Sequence, residues 1–206
     1  YELASDNNIA EAQYYLGSFY ENKKELDKAF NFFNTSAENN SADAQFKLGF
    51  FYEKGIYVEH DVDKMIHYYE LSANNSQDKP NPSAQYNLGC IFLDGKYVKQ
   101  DITKAIYYFT KAAEQKHIEA QYNLGCIFLD EKYVKQDITK AINYFTKAAE
   151  QKHIEAQYKL GHIYQHVSPN KDNAIKYYKL AANEQNSEAQ LSLGLIYEKG
   201  EYVKRD

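Results

Sequence analysis

The sequence has no apolar run that approaches the roughly 20 residues a membrane-spanning helix needs. It also lacks a basic stripe of the kind that neutralises phosphates, because lysine alternates with acidic residues throughout and the formal net charge is -5. We therefore expect neither membrane insertion nor a nucleic-acid partner.

Proline, glycine and cysteine are scarce, with three, nine and two residues in a chain of 206. An all-β sandwich would need more turn residues than this. Cys90 and Cys126 occupy one position in two consecutive repeats, whose helices we expect about 9 Å apart, farther than a disulfide reaches. The pair favours a reducing, cytoplasmic compartment. A secretory or ER-lumenal route stays open through three glycosylation motifs, at Asn34, Asn39 and Asn74, which we interpret as chance in an asparagine-rich chain.

Aromatic residues, in contrast, are abundant, with 21 Tyr and 11 Phe, and they recur in an internal repeat. Residues 84–119 and 120–155 agree at all but two positions, Gly95 against Glu131 and Tyr107 against Asn143. The same Ala-x-x-x-Leu-Gly core recurs six times. Its glycines stand at positions 17, 49, 89, 125, 161 and 194, which gives spacings of 32, 40, 36, 36 and 33 residues.

The pattern predicts two helices in each repeat. In the third copy we predict helix A over residues 83–94 and helix B over 102–115. Gly95 suits the left-handed position that ends a helix, and Asp101 suits an N-cap. In the fourth copy Glu131 replaces this glycine. A non-glycine residue in the left-handed conformation costs about 1 kcal/mol, so we expect a looser turn there.

The full pattern is Ala-x-x-x-Leu-Gly-x-x-Tyr/Phe, then Gly-x-x-Val-x-x-Asp, then Lys-Ala-x-x-Tyr-x-x-x-Ala-Ala. It resembles the Sel1-like repeat family, which is related to tetratricopeptide repeats. The resemblance implies an all-α fold, an α/α solenoid in which antiparallel helix pairs stack into a right-handed superhelix. It also implies a function as adaptor or scaffold. We expect one array over 1–206, with repeats at about 8–39, 40–79, 80–115, 116–151, 152–184 and a partial repeat at 185–206.

Both ends of the sequence look incomplete. Residues 1–7 parallel residues 69–75 inside a helix B, and the chain stops at Asp206, where the next helix B would be capped. We expect a fragment of a longer protein. Uncapped solenoid ends favour self-association, here through Leu193, Ile196 and Tyr197.

A helical wheel separates two faces of each helix A. With Ala84 at zero, Leu88, Ile91 and Phe92 form a core face, and Cys90 lies opposite. The resemblance places this opposite face on the concave groove. The candidate binding residues there are Phe46, Lys47, Phe50, Glu53, Tyr86, Asn87, Cys90, Leu93, Tyr122, Asn123, Cys126, Leu129, Tyr158, Lys159 and His162.

The chemistry of this face favours a protein or peptide ligand. Aromatic rings anchor ligands well, although the column of Tyr86 could instead pack between repeats. The amides of Asn87 and Asn123 can bind a peptide main chain, although they could equally form a solvated face. Acids in the last turn of helix A, such as Glu21 and Glu53, oppose the helix dipole. We interpret them as selected for a ligand, which predicts a basic peptide with apolar anchors.

Catalytic, metal and cofactor chemistry has little support in the sequence. The histidines show no three-ligand spacing, and we expect His117 and His153 at the ends of B helices. Cys126 and His162 lack a third orienting group. We therefore predict no enzyme activity, no metal and no cofactor. The alternative to an adaptor is an architectural or regulatory spacer arm of a larger multidomain protein, for example one attached to a signalling enzyme domain.

Overall fold

The computed structural model describes residues 10–198, in which there are eleven α-helices and no strand. They are α1 (Ala10–Asn22), α2 (Leu26–Glu38), α3 (Ala42–Lys54), α4 (Val62–Ala73), α5 (Pro82–Asp94), α6 (Ile102–Glu114), α7 (Ile118–Leu129), α8 (Ile138–Glu150), α9 (Ile154–His166), α10 (Lys171–Asn183) and α11 (Ser187–Glu198). Odd-numbered helices are the predicted A helices and even-numbered ones the B helices. The all-helical prediction is confirmed.

The chain divides into two compact units at residues 117 and 118. In the first unit α1 packs on α2, α3 on α4, and α5 on α6, and α2–α3 and α4–α5 contacts join successive pairs. In the second unit α7 packs on α8 and α9 on α10, while α8 contacts α9 and α10 contacts α11. Within each unit, an A helix packs on its own B helix and on the B helix before it wherever the unit contains that B helix.

The predicted helical phase is confirmed in the third copy. Ala84 and Leu88 are fully buried, and Ile91 and Phe92 are nearly so. The B helix of this copy buries Ala105, Tyr108, Phe109, Ala112 and Ala113. The glycine of the Leu-Gly motif is required by close approach of the B helix. A Cβ at Gly49 would lie 2.6 Å from Cδ1 of the Tyr69 ring.

Side-chain caps set the start of most helices. Asp101 accepts a hydrogen bond from the Lys104 amide at 2.9 Å, as the sequence predicts, and Gly95 ends α5 with φ +67°. The position of His153 differs from the prediction. Its Nδ1 accepts from the Ala156 amide and so caps α9, the next A helix, since α8 already ends at Glu150.

The expected strain at Glu131 is absent. Glu131 does not take the left-handed conformation, because α7 ends one residue earlier than α5 does, at Leu129. Asp130 then organises a different turn, in which its carboxylate accepts from the Lys132 amide at 2.9 Å. The chain avoids the energetic cost of a left-handed glutamate by changing the turn.

A glutamine is buried in five of the six described A helices, and it ties neighbouring helix pairs together. The Gln45 amide donates to the carbonyl of Ala37 at the end of the preceding B helix, and its oxygen accepts from Asn75 at the end of its own B helix. The same two bonds recur at Gln85 with Ala73 and Gln115. Because a buried amide needs partners for both its ends, this ladder fixes the register between pairs.

The end of the array also differs from expectation. Ile196 is 1% exposed and packs with Tyr178, Ala181 and Ala189, and Leu193 packs against the same cluster, so neither is uncovered. Tyr197 is exposed. The predicted opening helix at residues 1–7 and the predicted last turn at 199–206 lie outside the described residues. Self-association through uncapped ends stays a prediction.

Candidate functional site

A cleft of about 470 Å³ opens between the A helices α3 and α5 of the first unit. Met65 of α4 contributes to its wall, and the turn after α5 closes one side. The lining residues are Phe46, Phe50, Glu53, Lys54, Met65, Asn87, Cys90, Ile91, Asp94, Lys96 and Tyr97. A volume of this size is typical of ligand sites, which occupy roughly 300 to 1,000 Å³.

The cleft collects five of the residues predicted from the helical wheel, namely Phe46, Phe50, Glu53, Asn87 and Cys90. All five are partly exposed. They come together because both helices present the face opposite their buried Ala-Leu-Gly core, and α3 and α5 lie on the same side of α4.

Two aromatic rings make the apolar part of the cleft. Phe46 stacks on Tyr69 of α4, with ring centroids 5.8 Å apart. Phe50 lies one turn along α3, and the Lys54 ammonium sits 5.6 Å from its ring centroid. Because these rings are half-buried against the core, they can offer apolar contact area to a ligand and lose little side-chain entropy when it binds.

A hydrogen-bonded network lies behind the rings. The Tyr69 hydroxyl donates to Oε2 of Glu53 at 2.5 Å. The Asn87 amide also acts on this hydroxyl and partly offsets the rise in its pKa. Burial and the Glu53 carboxylate together raise the pKa of Tyr69 far above its usual range. The hydroxyl is therefore a permanent donor, and it fixes the orientation of Glu53.

The two cysteines are free thiols in equivalent positions of α5 and α7. Burial raises the pKa of Cys90, and the carboxylates of Asp94 and Glu53 raise it further. Burial also raises the pKa of Cys126, which the nearby Lys159 ammonium partly opposes. Neither thiol has the lowered pKa that is typical of a reactive cysteine.

Two acids in the last turns of A helices, Glu21 and Glu53, have partners within the chain, which the sequence interpretation did not foresee. Glu21 Oε2 pairs with Lys47 Nζ at 2.6 Å, and both side chains are about one-quarter exposed. Glu53 accepts from Tyr69 and also contacts Lys54. These contacts stabilise the two carboxylates in the last turn of a helix, where the helix dipole disfavours a negative charge. Lys47, one of the predicted binding residues, is paired with Glu21.

Tyr86 and Tyr122 are held by the residue that precedes the next A helix. Tyr86 stacks on His117 and Tyr122 on His153, each with centroids 4.6 Å apart. Both tyrosines also contact the core phenylalanine of their own pair. This arrangement supports a packing role, the alternative that the sequence left open.

The remaining predicted residues of the first unit lie at the cleft's margin or outside it. Leu93 is half-buried on α5 and does not line the cleft.

In the second unit, Tyr122, Cys126 and Leu129 pack partly against the core of α8 and α9. Tyr158 contacts the ring of Tyr178, and Asn123 and Lys159 are half-buried.

His162 is exposed, with its ring 4.7 Å from that of His166. Burial, His166 and Lys159 lower the pKa of His162. No group of three metal-ligating side chains occurs within residues 10–198.

Sequence reasoning missed the contributions of Tyr69, Met65 and the Lys96-Tyr97 turn. A signal for Tyr69 was present. Its position in the B helix holds Phe in copies one, three and four and Tyr in copies two and five, where helix A carries Glu53 or Gln165. The Tyr178 hydroxyl donates to Gln165 at 2.7 Å.

The Sel1 repeat family model matches residues 10–41, 42–76, 82–117, 118–153, 154–186 and 187–206. The chain belongs to the Sel1 repeat family. No curated protein sequence matches it. Proteins built from Sel1 and tetratricopeptide repeats generally mediate protein–protein interactions, and the Sel1 family consists generally of non-catalytic scaffolds.

Solved Sel1 structures share the fold. The protective antigen c5321 of uropathogenic Escherichia coli, which has an SLR fold, is 27% identical with a TM-score of 0.83, and the match covers 96% of this chain and 43% of that one. A Sel1 repeat protein from Oxalobacter formigenes is 28% identical with a TM-score of 0.79, over 100% and 61% of the two chains. This chain thus spans less than two thirds of either protein.

A more distant likeness, of fold alone, is to YrrB, a TPR protein with an unusual peptide-binding site. It is 18% identical, with a TM-score of 0.55, over 94% and 95% of the two chains. Within residues 10–198, none of the Sel1 helices combines the length and apolar character that crossing a membrane requires.

Proposed function

We propose that this chain is a non-catalytic protein-interaction module that holds a peptide segment of a partner protein in the cleft between α3 and α5. The observation that carries the proposal is the cleft itself, which combines two half-buried phenylalanine rings with a fixed carboxylate and an amide on one open surface. Aromatic anchors beside a few positioned polar groups are typical of binding sites.

The polar lining suits a peptide main chain and a basic side chain. The Asn87 amide lies at the cleft surface and offers both a donor and an acceptor. Asp94 is exposed and lines the same cleft as Glu53. These groups support a basic segment with an apolar residue beside it. A cytoplasmic location, supported by the two free thiols, completes the proposal.

The test begins with random nine-residue peptides displayed on phage and selected on the full 206-residue chain. Affinities of the enriched peptides are then measured by fluorescence anisotropy for the wild type and for Phe50→Ala. We expect Phe50→Ala to weaken binding about tenfold or more, because it removes a central aromatic anchor.

The matched control is Tyr107→Asn. Tyr107 is 50% exposed on α6, and the twin repeat carries Asn143 at its position, so the fold tolerates this change. It should leave peptide affinity unchanged. A spacer arm, the alternative function, predicts that no peptide is enriched above selection without the protein. Equal affinities for Phe50→Ala and the wild type would place the ligand elsewhere.

A further inference from the structure

Glu53 carries a charge that packing does not require. In the fifth copy, Gln165 occupies the same position and accepts the Tyr178 hydroxyl at 2.7 Å. A neutral amide is therefore sufficient as a partner for the buried tyrosine. In the second copy the acceptor is instead a carboxylate, and this carboxylate lines the cleft.

The carboxylate is also held in one orientation. Tyr69, which is fully buried, donates to Oε2 of Glu53. Only Oε1 faces a mobile partner, the Lys54 ammonium at 2.5 Å. Lys54 is about half exposed, and an exposed ion pair of this kind contributes little free energy. Another cation can replace it without disturbing Tyr69.

The cleft is lined by two carboxylates, Glu53 and Asp94, and by two lysines, Lys54 and Lys96, but of these only the carboxylates affect the Cys90 thiol. Glu53 and Asp94 both act on Cys90, where their charges add to burial in raising the thiol pKa, and no lysine opposes them there. In the twin repeat one carboxylate, Asp130, raises the pKa of the equivalent Cys126 and the Lys159 ammonium lowers it. Two carboxylates acting on the thiol are thus found at Cys90 and not at Cys126.

We propose that Glu53, with Asp94 beside it, is the subsite for a lysine or arginine side chain of the bound peptide, and that the adjacent apolar residue of that peptide rests on Phe50. Tyr69 is a positioning residue, because it orients the carboxylate without touching the ligand. Lys54 is the internal counter-ion that the ligand displaces. This inference rests on the proposed function, since it requires a peptide in the cleft.

The experiment uses a peptide from the display selection described above, synthesised in four forms that differ only in the residue next to the apolar anchor: Lys, Arg, Gln or Glu. Anisotropy titrations with the full chain should show the Lys and Arg forms binding about threefold to tenfold more tightly than the Gln form, and the Glu form binding most weakly. Glu53→Gln, which copies the fifth repeat, should bring the ratio of Lys-form to Gln-form affinity close to one.

Two further variants separate recognition from folding. Lys54→Gln removes the competing ammonium and should raise the affinity for the Lys form about twofold to fivefold. Tyr69→Phe matches the residue of copies one, three and four, so it should fold, and it should reduce the Lys-over-Gln preference because the carboxylate is no longer held. The preference between the Lys and Gln forms is a readout that a purely structural role would not change.

The outcomes distinguish the two proposals. Binding that Phe50→Ala abolishes, but that shows no preference for Lys, or a preference that survives Glu53→Gln, would overturn the cation subsite alone. Failure of the selection to enrich any peptide, or insensitivity to Phe50→Ala, would overturn the proposed function and the subsite with it.

Discussion

At the scale of single residues, the glutamine that is buried in five of the six described A helices shows how one side chain sets the register between helix pairs. Its oxygen accepts from an amide two residues after the second alanine of the B helix, as in Gln151 to Gln121 at 2.8 Å. The fifth copy has Glu184 at this donor position, and a carboxylate cannot donate. Gln157 Oε1 is accordingly buried without a partner.

Glu184→Gln should therefore stabilise the protein. The backbone at Glu184 (φ -91°, ψ 22°) is close to that at Gln151 (φ -90°, ψ 17°), so a glutamine amide can reach Gln157. We expect a gain of about 0.5 to 1.5 kcal/mol, the usual net value of one hydrogen bond. Urea unfolding measures it. Glu150→Gln, an exposed site in the preceding B helix, is the control, and an equal effect at both sites would contradict the ladder.

The second prediction at the residue scale concerns the thiols. Because burial raises the pKa of Cys90 and of Cys126, little thiolate is present near pH 8, and iodoacetamide should modify both more slowly than a cysteine in an unstructured peptide. Glu53→Gln should speed the reaction of Cys90 about twofold to threefold, since it removes a negative charge that disfavours the thiolate.

Cys126 supplies the internal control for this measurement. It lies in a repeat of nearly identical sequence, and the causes of its raised pKa do not include Glu53. Its alkylation rate, followed by mass spectrometry, should not change in Glu53→Gln. Parallel acceleration of both cysteines would mean that the variant loosens the fold and does not act through the charge of the cleft.

At the scale of elements, the twin repeats compare two ways of ending a helix A. Gly95 ends α5 in the left-handed conformation, and a Cβ there would lie 2.9 Å from Gln100 Cβ. Glu131 does not need that conformation, because α7 stops at Leu129 and Asp130 caps the turn. Two nearly identical sequences thus differ in local backbone because of one residue.

Alanine at each position tests this difference. Gly95→Ala should destabilise the protein by about 1 to 2 kcal/mol, through the left-handed conformation and the close contact with Gln100. Glu131→Ala changes an exposed residue and should stay within about 0.5 kcal/mol of the wild type. Chemical denaturation of both variants gives the comparison. Equal losses would show that the two turns share one conformation.

The elements also show what sequence periodicity can and cannot predict. The core face of α5, the caps at Gly95 and Asp101 and the helix bounds follow from spacing and capping rules, and they are confirmed. The prediction for the turn at Glu131 was wrong because a single substitution allows an alternative set of hydrogen bonds. His153 was assigned to the wrong helix because a boundary shift of three residues turns a C-terminal residue into an N-cap.

At the scale of the whole molecule, six copies of one motif were sufficient to predict the family and the fold class. The residues of the candidate site could be predicted from the sequence only in part. Helical phase found Phe46, Phe50, Glu53, Asn87 and Cys90, which meet in one cleft. It could not find the Tyr69 hydroxyl, since this buried side chain belongs to a B helix and acts on the cleft only through its hydrogen bond to Glu53. It also could not show that Lys47 and Glu21 are paired with each other.

The location of the peptide is the central claim, and photo-crosslinking tests it most directly. A selected peptide carries benzoylphenylalanine in place of its apolar anchor, is irradiated with the full chain, and the attachment sites are found by mass spectrometry. The account predicts crosslinks within residues 46–54 of α3 and 87–97 at α5 and its turn, suppressed by excess unlabelled peptide. Crosslinks confined to the outer faces of the B helices or to residues 118–198 would contradict it.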